Sequence, residues 1–420
     1  MIQAFYSGAS GIRAHQDAIN ITSDNLANIQ SIGFRGTSAE FASLFEKAKH
    51  TQTLTSSVDS TVGVGTRVSA TALDLSQGTL INSERNTDLA IVGDGWFAIE
   101  GANERYFTRN GTFGFDSNRD LVTPEGMYVL GTIGNNIDTA NNVLTKELSG
   151  ISLDDVTKQQ KLKLPETLFY PPQPTTNIKF FGNIGTENET RVISAKAIDA
   201  DGNINKVRLA FKLDANQPAT GSLWNITATV TSNDEKTLYS TTTAQVRFDD
   251  AGGLLSSTLT SVNNNGTPVT IDLGSNYSGI IAAANIPITG SSQSNGLQGG
   301  ELIGYDINQN AEIIATFTNG RQSSIAKIGL FHFQNDQGLE RISGSLFKES
   351  SNSGKAFFFK DAEGDNILGA NILNQKLEMS NVKMEKGLTE LIIYQRAYDA
   401  NAKSVTTADQ MIQKALNMDA

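Results

Sequence analysis

Cysteine is absent from all 420 residues. That removes disulfide scaffolds, thiolate metal sites and cysteine nucleophiles together. Histidine is scarce: His15, His50 and His332 are scattered and leave no cluster for metal or proton-transfer chemistry. Basic residues are outnumbered, 33 Lys and Arg against 44 Asp and Glu, for a net charge of -11. Nucleic acid is therefore not expected as a partner, because phosphate binding wants a positive field. Long apolar runs are missing too. The stretch 280–286 falls far short of a bilayer span, so no membrane insertion is expected. The first twenty residues show neither a basic n-region nor an apolar core, so export, if any, is expected without a cleavable signal peptide. Proline is rare, eight in all, and half of it (Pro165, Pro171, Pro172, Pro174) falls within ten residues. Such a concentration marks a structural boundary.

What the chain does have is a seven-residue apolar period at both ends. Near the C-terminus the row is Leu377, Met384, Leu391, Tyr398, Val405, Ile412. Near the N-terminus it is Phe5, Ile12, Ile19, Leu26. A strict heptad lines up a narrow seam on one side of a helix and asks for a partner helix. The expectation is a long C-terminal helix starting at Leu377 and paired with residues 1–29 and with further copies. The plainer alternative is an amphipathic helix that closes a monomeric core. Gly8 and Gly11 each cost an isolated helix about 1 kcal/mol against Ala, so the N-terminal segment needs packing to hold it.

Between the ends the texture is β. Thr37-x-x-Glu40 reads as a capping box with Phe41, Leu44 and Phe45 behind it, giving a linker at 34–75 with one short helix. Asn110-Gly111 and Asn319-Gly320 read as two-residue hairpin turns. Val207, Leu209, Phe211, Leu213, then Trp224, Ile226, Ala228, Val230, then Val269, Ile271, Leu273 alternate with period two, predicting an all-β barrel or sandwich. Asp88, Asp94, Asp116 and Asp120 follow no EF-hand spacing and suit turn and capping roles. Gly63-Val64-Gly65 lacks the remaining elements of a phosphate loop. N-x-S/T triplets such as Asn225-Ile226-Thr227 fit chance in an Asn- and Thr-rich chain. No nucleophile, base and orienting group fall into a recognisable set, so neither catalysis nor a cofactor or metal is expected.

Two signatures sit on the terminal heptads. Asn25-Leu26-Ala27-Asn28 is followed by Gly33-Phe34-Arg35. Near the other end stand Ser380-Asn381-Val382, Gln395-Arg396-Ala397-Tyr398, Asn401-Ala402 and Asp409-Gln410-Met411. Together they resemble the terminal signatures of the bacterial flagellar axial family, the rod and hook proteins. Gly78-Thr79-Leu80, Thr87-Asp88-Leu89-Ala90-Ile91, Thr108-Arg109-Asn110-Gly111, Phe317-Thr318-Asn319-Gly320, Gly338-Leu339 and Ser353-Gly354 resemble its middle block. The resemblance implies a mainly β chain with terminal α-helices, in nested discontinuous domains. Residues 1–33 and 374–420 form the paired helical coiled-coil assembly domain, 34–75 the linker, 76–147 and 298–373 a discontinuous β domain, and 148–297 an inserted outer β domain. Asn25, Asn28, Gly33, Phe34, Asn381, Gln395, Arg396 and Asn401 join the heptad rows as the implied assembly surface. The implied product is a homopolymeric tube outside the cell, in the flagellum. The implied partners are rod proteins at one end, cap or junction proteins at the other, and the export apparatus. Length and the insert favour a hook subunit that passes torque. A distal-rod or second hook-type protein is the nearest alternative, and a secreted coiled-coil adhesin is a more remote one.

Overall fold

A computed structural model describes residues 2–47, 61–101 and 104–417. Helix α1 (Ile2–Ala27) and helix α2 (Met384–Leu416) enclose an otherwise β chain. At ~1.5 Å per residue, the 33 residues of α2 span about 50 Å.

Residues 37–73 differ from the expectation drawn for 34–75. Strands β1 (Thr37–Lys47) and β2 (Thr61–Leu73) form an antiparallel hairpin, and no helix lies within either. Residues 48–60 of that linker lie outside the described residues. The capping-box reading fails because the backbone of Thr37 is already engaged. Its N–H donates to Asn25 Oδ1 (2.9 Å), and its carbonyl accepts from Asn25 Nδ2 (2.6 Å). With extended geometry fixed there, pairing along the strand outweighs a local helical preference. Register slips at Glu40/Phe41 hide the period-two pattern. The hairpin lies against both helices: the Phe41 ring sits 5.4 Å from His15 and 5.9 Å from Tyr394.

The first β domain is a 15-stranded sheet whose strands come from both sides of the insert, joined where Tyr128–Ile133 pairs with Gln322–Ile328. Strand Trp96–Gly101 shows how the sheet is covered on two faces. Phe97 and Ile99 point into one core with Leu89, Phe113 and Phe317, while Trp96 and Ala98 point into a second with Phe107, Phe331 and Phe347. The Asn319-Gly320 hairpin forms between Glu312–Phe317 and Gln322–Ile328, with Gly320 at φ +78°. Asn110-Gly111 does not form one. Gly111 instead accepts from the N–H of Leu89 (3.0 Å), where a Cβ would lie 1.8 Å from that residue's carbonyl oxygen. Close backbone approach, rather than a turn, calls for glycine there.

The inserted domain has its own core between a six-stranded and a five-stranded sheet, running from Ile178 to Ala282. Its expected start at 148 is too early. Leu153, Leu162, Leu164, Leu168 and Tyr170 belong to the first domain's core. The crossing falls at Pro171, Pro172 and Pro174, which cannot donate to a sheet ladder. Val207, Leu209, Phe211, Trp224, Ile226, Ala228, Val230 and Val269 are all buried, as their alternation requires.

One turn recurs through both domains. At Asp116, Asp199, Asp249, Asn308 and Asp361 the side-chain Oδ1 accepts from the backbone N–H groups two and four residues on. The residue three on is left-handed in each: Arg119, Gly202, Gly252, Ala311 and Gly364. An acceptor that stitches its own hairpin fixes loop length and therefore register.

Candidate assembly interface

Helices α1 and α2 lie antiparallel. The residues that bring them together are small. Gly8, Gly11, Ala14, Ala18, Thr22 and Asn25 are the buried positions of α1, spaced three or four apart on one face. A Cβ on Gly8 would lie 2.7 Å from Val405 Cγ2, and one on Gly11 would lie 2.6 Å from Asn401 Oδ1. At the far end the roles reverse, and a Cβ on Gly387 would lie 2.9 Å from Leu26 Cδ2. Glycines that weaken an isolated helix here permit backbone contact. Ile12, Ile19, Leu26, Leu391, Tyr398, Asn401, Val405 and Ile412 flank this seam half-buried, whereas Phe5 and Met384 are exposed. Gln395 and Arg396 face solvent. Beneath the middle of the pair the His15 ring stacks on Tyr394 (6.2 Å), and burial holds its imidazole below the ordinary value.

Leu377 does not lie on the helix. Residues Lys376–Glu378 form a strand paired with β3 (Leu80–Asn82), and Leu377 is buried there; its agreement with the heptad is a coincidence of spacing. Asn381 lies before the helix as well. Its Oδ1 accepts from the N–H of Gly36 (2.8 Å), and its Nδ2 donates to the carbonyls of Asp74 (2.7 Å) and Ser76 (2.9 Å). One side-chain amide thus ties together the three chain passages that leave the two helices and the β1–β2 hairpin. Asn28 caps the end of α1 through Asp24 and Ser31.

The same junction holds Gly33 and Phe34. Gly33, at φ +67°, donates its N–H to the Glu378 carbonyl (2.7 Å), and a Cβ there would lie 2.3 Å from the backbone nitrogen of Asn110. Phe34 is buried under the Arg341 guanidinium, 4.8 Å above its ring. Next to them the Glu378 carboxylate is 1% exposed. Arg35 Nη2 reaches its Oε1 at 3.0 Å and Arg109 Nη1 its Oε2 at 3.3 Å. The N–H of Gly78 also donates to Oε1 (2.8 Å). Burial, together with the neighbouring Arg35 charge, pulls Arg109 down to about 10, still protonated at neutral pH. Thus the N-terminal, middle and C-terminal signature blocks, far apart in sequence, meet at one point.

Sequence reasoning missed Asp74, Ser76 and the small-residue seam, and it sets Glu378 among the heptad's flanking charges on a solvated or inter-subunit face, whereas the structure buries it within the chain. The stripe of Gly and Ala at spacings of three and four was a readable signal for the seam. Nothing local marks Glu378. Outward from the seam, Leu388 (48%), Ile392 (53%) and Ile393 (57%) are bare apolar side chains. Among the described residues no group of three His, Asp or Glu could hold a metal ion, and no helix is long and apolar enough to cross a membrane.

Two family models match. "Flagellar hook protein FlgE/F/G D1 domain" covers residues 90–161, and "Flagellar basal body rod FlgEFG protein C-terminal" covers 373–418. The chain is 27% identical to the flagellar hook protein FlgE of Borreliella burgdorferi over the whole of both chains. It is 25% identical to that of Salmonella typhimurium, over 99% of this chain and 100% of the relative. The crystal structure of Helicobacter pylori flagellar hook protein FlgE2 overlaps 71% of this chain and 100% of its own, with TM-score 0.48 and 16% identity.

Proposed function

Because this chain belongs to the flagellar hook protein family, we propose that its helix pair is the assembly element of a tubular polymer and its β domains the outer shell. The chain is a structural subunit of the flagellar hook. One observation carries the reading of its parts: α2 is closed on one side by a glycine seam and bare on the other. Leu388, Ile392, Ile393 and Met411 stay exposed after α1 has packed. Burying each such side chain is worth about 1.5–3 kcal/mol. Other copies are the natural cover, and a head-to-tail contact that does not close gives a helical filament.

In this reading the tube joins the motor rod to the filament and carries torque. Rod proteins contact one end, and cap or junction proteins the other. Subunits reach the site through the flagellar export apparatus, without a cleaved signal, and assemble outside the cell. The protein acts mechanically, with no catalytic step. The match to hook proteins runs through the insert, which supports a hook subunit over a distal-rod protein. The test is genetic. Deleting the coding sequence should leave basal bodies without hooks, restored by the wild-type gene and not by Val405→Asp. Hooks of normal length in the deletion strain would overturn the proposal.

A further inference from the structure

The covalent links between the helix pair and the β shell are thin. Among the described residues, 74–78 and 379–383 cross the gap, while 28–36 leaves α1, touches the shell and returns as β1. Each crossing is a single irregular strand, the ordinary make-up of a hinge. Yet all of them pass the buried carboxylate of Glu378. On the helix side, Arg35 gives Nη2 to Oε1 (3.0 Å) and Nη1 to the carbonyl of Ser76, so one guanidinium holds the carboxylate and a crossing strand together. On the shell side, Arg109 gives Nη1 to Oε2 (3.3 Å) and Nη2 to the carbonyl of Gly93 (2.7 Å). Arg341 adds a brace. It donates to the Arg35 carbonyl and lies over the rings of Phe34 and Phe347, which come from opposite sides of the gap.

A buried cluster of two guanidinium groups and one carboxylate is a poor device for stability. Its desolvation cost rivals its attraction, and apolar side chains of similar volume serve folding as well or better. What charged forks add is direction. Glu378 is claimed through different oxygens by groups on opposite sides, and the planar guanidinium accepts only a narrow range of approach. Tilting the helices on the shell would part at least one pair and leave a buried charge without its partner. The restoring force is therefore steep.

We propose that Glu378, clasped between Arg35 and Arg109, is the positioning residue that sets the angle between helix pair and β shell, so that load on the shell reaches the helices without a hinge at the junction. Both the lock and its mechanical consequence are properties of the assembled subunit and rest on the functional reading above.

The absence of cysteine makes the test clean. Spin labels at Ser404→Cys on α2 and Glu125→Cys on the shell, both exposed positions, report the distance distribution across the junction. It is measured by double electron–electron resonance in tubes of the full-length chain diluted with unlabelled copies. Two backgrounds are compared with the wild type. Arg35→Lys keeps the charge and loses the fork. Arg35→Met/Arg109→Met/Glu378→Leu removes the charges and keeps the bulk. The expected result is one narrow peak in the wild type and a distribution at least about twice as broad in both variants. The thermal transition of the β domains should stay unchanged, which a merely structural role would shift. An equally narrow peak in the variants, or a broad one in the wild type, overturns the lock. Should the wild-type chain form no tubes, the functional reading fails; tubes that form with a broad wild-type peak overturn the lock alone.

Discussion

Replacing Gly11 by Ala should have opposite effects in an isolated helix and in the assembled protein. In a peptide of residues 2–27, Ala at position 11 raises helix stability by about 1 kcal/mol, because Gly carries the larger backbone entropy loss. In the folded chain the new Cβ would lie 2.6 Å from Oδ1, 2.7 Å from Cγ and 2.8 Å from Nδ2 of Asn401. That amide is not free to swing, since its Nδ2 donates to the Ala397 carbonyl at 2.8 Å. Either the bond breaks or the helices part by several tenths of an ångström, and overpacking of this kind costs roughly 1–3 kcal/mol. The net effect is a loss of up to about 2 kcal/mol, which raises the critical concentration for assembly by as much as ~30-fold, at tenfold per 1.4 kcal/mol. Asn401→Ala in the same chain removes the obstructing atoms and should restore assembly, giving a coupling of at least about 1 kcal/mol in the double-mutant cycle. The assay is circular dichroism of the peptide beside sedimentation of the polymer. If Gly11→Ala stabilises both, the helices do not meet at this seam and the reasoning fails.

Gly33→Ala should cost more than about 1 kcal/mol, because its left-handed φ penalises a Cβ that also meets backbone; a lowered melting temperature of the helix–shell junction checks it. Val405→Asp should abolish polymerisation while the β domains keep their cooperative thermal transition, since an unpaired charge facing Gly8 costs several kcal/mol; loss of that transition would place the helix in the monomer's folding core. Asp199 gives a pH effect in the insert. Burial alone would raise its carboxyl. Hydrogen bonds from Asn265, the Asn203 backbone and side chain, and Asn205 outweigh this and hold it below the usual carboxylate range. A depressed carboxylate contributes stability that is present above its unfolded pKa and lost as pH falls through the folded value. Asp199→Asn should therefore flatten the insert's stability against pH below about 4; an unchanged acid-unfolding profile would count against that role.

Reading the sequence reached the two helices, the insert's strands and the Asn319-Gly320 turn because each is written in local periodicity or turn chemistry. It missed where pairing partners are far apart. Thr37–Lys47 carries helical capping residues, yet Asn25, twelve positions earlier, fixes it as strand. Leu377 keeps the heptad's beat, but pairing with β3, some three hundred residues away in sequence, takes it off the helix. Glu378 is one acidic residue among many until Arg35 and Arg109 are brought to it. The self-stitching turns were half legible. Asp116 suited a turn role from its neighbours, but Arg119 and Ala311 in left-handed geometry conceal a pattern that glycine announces at Gly202, Gly252 and Gly364.

The central claim is that this chain builds a tube lined by its helix pair and sheathed by its β domains. Electron cryomicroscopy of polymer grown from the purified full-length protein tests it most directly. Curved, hollow tubes are expected, with α1 and α2 on the inner wall, the exposed Leu388, Ile392 and Ile393 face covered by neighbouring copies, and the insert outermost. Closed oligomers or unassembled monomers, or a tube whose inner wall is β, would contradict it.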